Sequence, residues 1–228
     1  MISVRQLSFA VIALFTAGKA SADWSGGIEA GVQLDSDDRP ALRFYANNDS
    51  LPLSHFLFLD WIRDSGSSNF RIGYNPTYRI SNSFYSFGRF DLEEDNPDGI
   101  DREINALVGV GNHLLRRGNT RVKAEAGIGA RQLTFNQTDF PGAEEDTGAF
   151  AFASGSMSSS LLRLLRFDAR IIAKAGEDQT TLDGQVGLSV PIGPRTSLRY
   201  VYSVTRFDFG DQDGLTTRDS SFRVSYGF

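Results

Sequence analysis

The sequence predicts an all-β protein: a transmembrane antiparallel up-and-down β-barrel of about twelve strands, with ten or fourteen as the alternatives. Three observations carry this. The chain ends on a strand in which Phe222, Val224, Tyr226 and Phe228 share one face and Ser221, Arg223, Ser225 and Gly227 the other. The same period of two recurs along the chain, between clusters of turn-forming residues. The connections also sort by charge. Residues 35–39, 64–69, 93–101, 139–146, 177–178 and 208–213 hold 18 of the 28 acids and one base, Arg39. The alternate turns at 47–54, 80–83, 115–120, 157–160 and 191–196 hold one acid, Asp49, and three bases. With both termini on the periplasmic side, every acidic connection falls outside.

Residues 1–22 read as an export signal and residues 23–228 as the barrel domain. Arg5 gives the positive start, Leu7 to Phe15 a short apolar run, and Ala20-Ser21-Ala22 a small-residue cleavage site. The run is too short to cross a bilayer as a helix. There is no cysteine, which excludes disulfides, thiol catalysis and cysteine-ligated metals. Alternating strands cross a bilayer without a long apolar run, so the mean hydropathy of −0.25 does not argue against a membrane.

Strand one, Trp24 to Leu34, puts Ile28, Ala30, Val32 and Leu34 opposite Glu29 and Gln33. Residues 35–40 form a turn cluster, and strand two follows from Ala41 to Asn47. Strand three, His55 to Arg63, has four successive apolar residues. Asp60 sets its parity, with Leu57, Leu59 and Trp61 outward. Strand four sets Phe70, Ile72, Tyr74, Tyr78 and Ile80 against Arg71, Asn75, Thr77 and Arg79, and Pro76 removes one ladder donor. Strand five covers Ser83 to Leu92, strand six Ile100 to Leu114 and strand seven Thr120 to Phe135. Strand eight is Thr147 to Ser156 and strand nine Leu161 to Ala175, where alternation from Leu165 onward outweighs the helical character of Leu161 to Leu165. Strands ten (Thr180 to Val190), eleven (Ser197 to Phe207) and the C-terminal strand (from Ser220) complete an even number, as single-chain bacterial barrels generally have.

Parity then assigns the lumen. The inward charges are Glu29, Arg43, Asp60, Arg71, Arg79, Arg89, Asp91, Glu103, Arg121, Lys123, Glu125, Arg131, Arg166, Asp168, Arg170, Lys174, Asp183, Arg199 and Arg223. Opposite charges there either satisfy one another or line a narrow aqueous path. Gly109, Gly111, Gly127 and Gly129 form a flat inward patch, which either receives a bulky side chain from across the barrel or relieves strand curvature.

No catalytic, cofactor or metal site is expected. The two histidines, His55 and His113, both fall at the periplasmic end, and neither has a nucleophile at a recognisable spacing. Asp95-Asn96-Pro97-Asp98-Gly99 has part of a calcium-loop pattern, but Asn105 stands where the closing glutamate belongs. The expected function is therefore non-catalytic: a structural barrel or a narrow pore for small polar solutes, with a weak cation preference from the acidic mouth. The rivals are an outer-membrane hydrolase and a soluble periplasmic lipid-binding barrel. Expected partners are outer-membrane lipid and lipopolysaccharide, and the assembly machinery through Phe222, Val224, Tyr226 and Phe228. Nucleic acid is not among them, and the barrel is expected to be monomeric.

A family pattern runs through the centre of the chain. Phe84-Tyr85-Ser86-Phe87-Gly88-Arg89-Phe90 is followed by Gly99-Ile100-Asp101, Val108-Gly109-Val110-Gly111-Asn112 and Ala124-Glu125-Ala126-Gly127-Ile128-Gly129. With the opening Trp24-Ser25-Gly26 and Thr217-Arg218-Asp219-Ser220, this resembles the YdiY-like family of salt-induced outer-membrane proteins. One departure is Asp35-Ser36-Asp37 where a Gly-Asn pair is expected. The resemblance implies an outer-membrane barrel and a link to osmotic or salt stress. It transfers no functional residues, because the family has no assigned biochemical role.

Overall fold

The computed structural model describes residues 24–34, 39–63, 68–96, 100–135, 145–162, 164–177, 180–209 and 212–228. The expected export signal at 1–22 lies outside these residues, as does part of each of the six acidic connections. Twelve strands form: β1 (Trp24–Leu34), β2 (Arg39–Asn48), β3 (Leu53–Arg63), β4 (Ser68–Arg79), β5 (Phe84–Asn96), β6 (Ile100–Arg117), β7 (Thr120–Phe135), β8 (Asp146–Leu162), β9 (Leu165–Gly176), β10 (Thr180–Pro191), β11 (Thr196–Phe209) and β12 (Gln212–Gly227). Each pairs with its neighbours in sequence, and β12 pairs antiparallel with β1 to close the barrel. Closure leaves no unpaired sheet edge, which is what a lipid environment demands of a spanning sheet. The last rung of the seam is reciprocal. Gly26 N–H donates to the Phe228 carbonyl at 3.2 Å, and Phe228 N–H donates to the Gly26 carbonyl at 2.9 Å.

The expected parities hold. Phe222, Val224, Tyr226 and Phe228 are exposed on the outside, and so are Val108 and Ile128, at 63% and 69%. Strand three resolves as Asp60 suggested: Leu57, Leu59 and Trp61 pair with Tyr74, Ile72 and Phe70 on the outer row, while Asp60 pairs with Arg71 on the inner one. The β4–β5 ladder skips Asn75 and Pro76, where the proline lacks an N–H. An apolar exterior around a charged interior is the reverse of what a soluble lipid-binding barrel requires.

Several boundaries differ from the sequence reading. Glu93, Glu94 and Asp95 belong to β5 rather than to a connection, Asp101 to β6, and Asp208 to β11. β12 starts eight residues before Ser220, at Gln212. β8 runs through 157–160 to Leu162, so Leu161 and Leu162 end β8 instead of opening β9. The physical reason is the same in each case. Charged and serine-rich stretches read as loops, yet a barrel strand continues wherever its ladder finds partners, as Glu94 does opposite Arg102 and Ser156 opposite Arg170. Between β6 and β7 the chain turns on Gly118, whose φ of 55° favours glycine.

The glycine patch is filled from beside it, not from across the barrel. Tyr85 and Phe87 of β5 lie over Gly111 and Gly109, and Phe150 of β8 lies over Gly129. A Cβ at Gly109 would stand 2.7 Å from the Phe87 ring, and one at Gly129 2.6 Å from that of Phe150. Tyr85, Phe87, Leu107, Phe150 and Phe152 thereby form a buried cluster inside the barrel, with Ile172 packed against it. The lumen has two unlike walls: a dry arc across β5–β8, and a polar arc from β9 round through β12 and β1 to β4.

Candidate functional site

Strand alternation delivers the charged side chains to the interior, and register decides which of them meet. On the dry arc Glu125 is the centre. Its carboxylate accepts hydrogen bonds from Tyr85 Oη at 2.8 Å, Ser154 Oγ at 2.9 Å and Lys123 Nζ at 3.3 Å, and is paired with Arg89. The Arg89 guanidinium lies 5.0 Å from the Phe87 ring centroid and 4.8 Å from that of Phe152. Four polar partners and two ring faces satisfy a charge pair that is mostly buried, with side-chain exposures of 13% for Arg89 and 5% for Glu125.

On the polar arc the pairs form a chain. Glu29 faces Arg223 at 3.6 Å and Arg199 at 3.7 Å, and Arg199 also reaches Asp168 at 2.8 Å. Arg43 Nη2 donates to Asp60 at 2.6 Å, and Arg71 lies 3.6 Å from Asp91 and 3.9 Å from Glu93. The Phe58 ring, lying over Gly73, sits between the Arg43 and Arg71 guanidiniums at 5.9 and 5.6 Å. At the far mouth, away from the termini, Arg131 meets Asp146 at 4.0 Å and Arg39 meets Asp219 at 3.9 Å. Every one of these pairs joins residues on the same strand, adjacent strands or strands one removed. The charges are folded along the wall rather than bridged across the lumen.

Other expected lumen residues stand apart from this network. Glu103 accepts a hydrogen bond at 2.7 Å from Asn105, which is buried and has its own Oδ1 unpartnered. Arg79 donates to the Ser81 carbonyl at 3.2 Å at the end carrying the termini. Arg121, Arg166, Arg170, Lys174 and Asp183 have no carboxylate or base within ion-pair distance among the described residues. A cavity of about 320 Å³ opens inside this end, and Asn47, Asn75, Arg89, Lys123, Ser156 and Arg170 help to line it.

The two histidines occupy different surroundings. His55 is on the outward row at the rim, stacked between Trp24 at 6.4 Å and Tyr74 at 6.0 Å, with its Nδ1 2.7 Å from the Tyr74 hydroxyl. This places it in an aromatic belt. His113 faces inward, 5.1 Å from the Tyr85 ring. Of the calcium-like pattern, Asp95 and Asn96 lie in β5, and residues 97–99 lie outside the described residues. Among the described residues no group of histidines and carboxylates converges as a metal site would require.

Glu125 was expected in the lumen, but its partnership with Tyr85 was not. A tyrosine on an inward row, level with a glutamate two strands away, is the signal that could have found it. Residues 57–228 match the family described as a protein of unknown function, DUF481. The chain belongs to this family. That agrees with the YdiY-like pattern, since DUF481 is the YdiY-like family. No curated protein matches the sequence. Among solved structures, this DUF481 barrel is similar to the NanC porin, with a TM-score of 0.60 at 8% identity over 88% of this chain and 98% of that one. It is also similar to the KdgM porin in complex with disordered oligogalacturonate, with a TM-score of 0.53 at 13% identity over 89% and 98%. The translocator domain of the autotransporter NalP from Neisseria meningitidis gives a TM-score of 0.54 at 10% identity, covering 97% of both chains. At these identities the likeness establishes the outer-membrane barrel fold.

Proposed function

We propose that this DUF481 barrel is a non-catalytic outer-membrane pore for small polar solutes, exported by residues 1–22 and seated as a monomer in outer-membrane lipid and lipopolysaccharide. The observation that carries this reading is the path of the lumenal ion pairs. They run along the wall, so they neutralise charge without plugging the barrel, and a cavity of about 320 Å³ remains between Arg89, Lys123 and Arg170. The porin fold of NanC and KdgM supports it. The link to salt stress rests on the family resemblance alone.

The expected cation preference loses part of its basis. Glu93 pairs with Arg71, Glu94 with Arg102 at 3.5 Å, Asp146 with Arg131 and Asp208 with Arg206 at 3.0 Å. Planar-bilayer recording of the refolded barrel tests the pore: discrete conductance steps are expected, and their absence leaves a structural barrel. The assembly role of the C-terminal strand is tested by deleting Phe228, which removes the last rung of the seam. Less heat-modifiable folded protein in the membrane fraction is expected, and an unchanged yield refutes the role.

A further inference from the structure

β9 stands where the dry and polar arcs meet, and its inward row is Arg166, Asp168, Arg170, Ile172 and Lys174. Asp168 is taken by Arg199 at 2.8 Å. The three cations are left without an ion-pair partner among the described residues. Their flanking residues are uncharged: Ser160 and Ser189 beside Arg166, Ser156 and Gln185 beside Arg170, Phe152 and Thr181 beside Lys174. Lys174 lies 5.6 Å from the Phe150 ring centroid. Arg166 and Arg170 are exposed to the lumen.

The groups facing this row from other strands do not cancel it. Arg170 interacts electrostatically with Arg89 and Arg71 as well as with Glu125 and Asp183. Lys174 does so with Arg71 and Arg131 as well as with Glu103 and Asp91. Of these acids Glu125 is held by Arg89 and Lys123, and Asp91 lies against Arg71. That leaves Glu103, hydrogen-bonded to Asn105, and Asp183, opposite Ile172, as two acids without an ion-pair base among the described residues against the three cations. Among the inward charges read from the sequence, twelve are bases and seven are acids. The longer strands add three acids, Glu93, Asp146 and Asp219, and one base, Arg39, at the far mouth, so the basic excess sits in the middle and toward the end carrying the termini.

We propose that Arg166, Arg170 and Lys174 form an anion track along β9 that binds linear polycarboxylates and conducts them through the barrel. The spacing fits an extended ligand. Residues four apart on a strand are separated by about 13 Å, so the row presents charge along the axis rather than at one point. Unpaired guanidinium and ammonium groups in a confined lumen favour anions over cations, and an unengaged guanidinium keeps its planar fork free for a carboxylate. Passage rests on the pore reading; binding does not.

The test uses the refolded barrel and the variant Arg166→Gln/Arg170→Gln/Lys174→Gln, which breaks none of the ion pairs described. Across a KCl gradient the reversal potential of the native protein should report chloride preference, and the triple variant should lose it. Cation preference in the native protein, or an unchanged preference in the variant, overturns the track as a selectivity device. If no conductance is seen, titration calorimetry in detergent decides. Saturable binding of trigalacturonate, absent for uncharged maltotriose and abolished in the triple variant, supports the track while the pore reading falls. No binding, or equal binding by the variant, overturns it. Heat-modifiable migration of the variant confirms that it is folded, and Lys123→Gln separates loss of the β9 row from loss of any lumenal charge. Lys123→Gln should retain at least part of the preference or binding; if it loses as much as the triple variant, the assignment to β9 fails.

Discussion

The two arcs of the lumen solve the same problem in opposite ways. Strands β5–β8 cover glycines with aromatic rings and bury one ionic knot, Glu125 with Arg89, Lys123, Tyr85 and Ser154. Strands β9–β12 and β1–β4 spread their charges into longer chains such as Asp168–Arg199–Glu29–Arg223, in which Glu29 is as buried as Glu125 and the other three keep part of their surface in the lumen. The dry arc gains packing and tolerates little. The polar arc gains solvation and leaves cations such as Arg170 free for a ligand. Rigidity and function are therefore divided around one circumference, with β9 as the border.

The sharpest way to break this comparison is to strike the ionic knot. Glu125→Leu strands Arg89 between two rings without its carboxylate, and the expected loss is about 4 kcal/mol, as for other buried pairs deprived of one partner. Urea midpoints in lipid vesicles measure it; a loss no larger than that of Asp168→Leu on the polar arc would erase the distinction. The outer surface serves as the control. Val108→Arg, outside the dry arc, and Val186→Arg, outside the polar arc, should each cost roughly 3 kcal/mol, because lipid is the same on both sides. Unequal penalties would show that the arcs differ outside as well as inside.

A smaller effect separates the glycines. A Cβ at Gly127 would stand 2.9 Å from the Gly109 Cα, so Gly127→Ala requires backbone movement and should cost about 2 kcal/mol. Gly148, at the far end of β8, has nothing within 4 Å of the same position, and Gly148→Ala should leave the midpoint unchanged. Least of all, Arg170→Gln should alter stability by under about 0.5 kcal/mol, since it breaks no ion pair. A large loss there would mean that the β9 row is structural.

Most of the fold was legible because the period of two survives in almost every strand. Where it was blurred, a single charge sufficed: Asp60 set the parity of Phe56 to Trp61. The ends were less legible. Glu93, Glu94 and Asp208 have loop chemistry, but their strands continue because each finds a base beside it. Ser156 to Ser160 resembles a turn by composition, although alternate serines there line the lumen. The site was legible only as a list of inward charges. Which of them pair depends on residues distant in the chain, such as Tyr85 and Glu125, 40 positions apart. The same blindness hid Asn105, which shares the inward row of Glu103 and is buried at 6% exposure. Asn105→Arg is therefore no mild counterpart to Val108→Arg.

The rings over the glycines also bear on how the barrel is assembled. β6, β7 and β8 run to 18, 16 and 17 residues, and long ladders can zip together out of step. A slip of two residues preserves inside and outside, so the hydrophobic pattern cannot detect it. The glycines can. Shifted by two toward the β6–β7 turn, Phe87 would face Gly111 and Tyr85 would face His113; shifted the other way, Phe87 would meet Leu107. Because Gly109 and Gly127 accept only each other's bare backbone at close range, the mismatched ladders would carry a steric cost that the native one lacks. The pairs thus act as a proofreading device, written in the smallest residue, for an alignment that polarity alone leaves ambiguous.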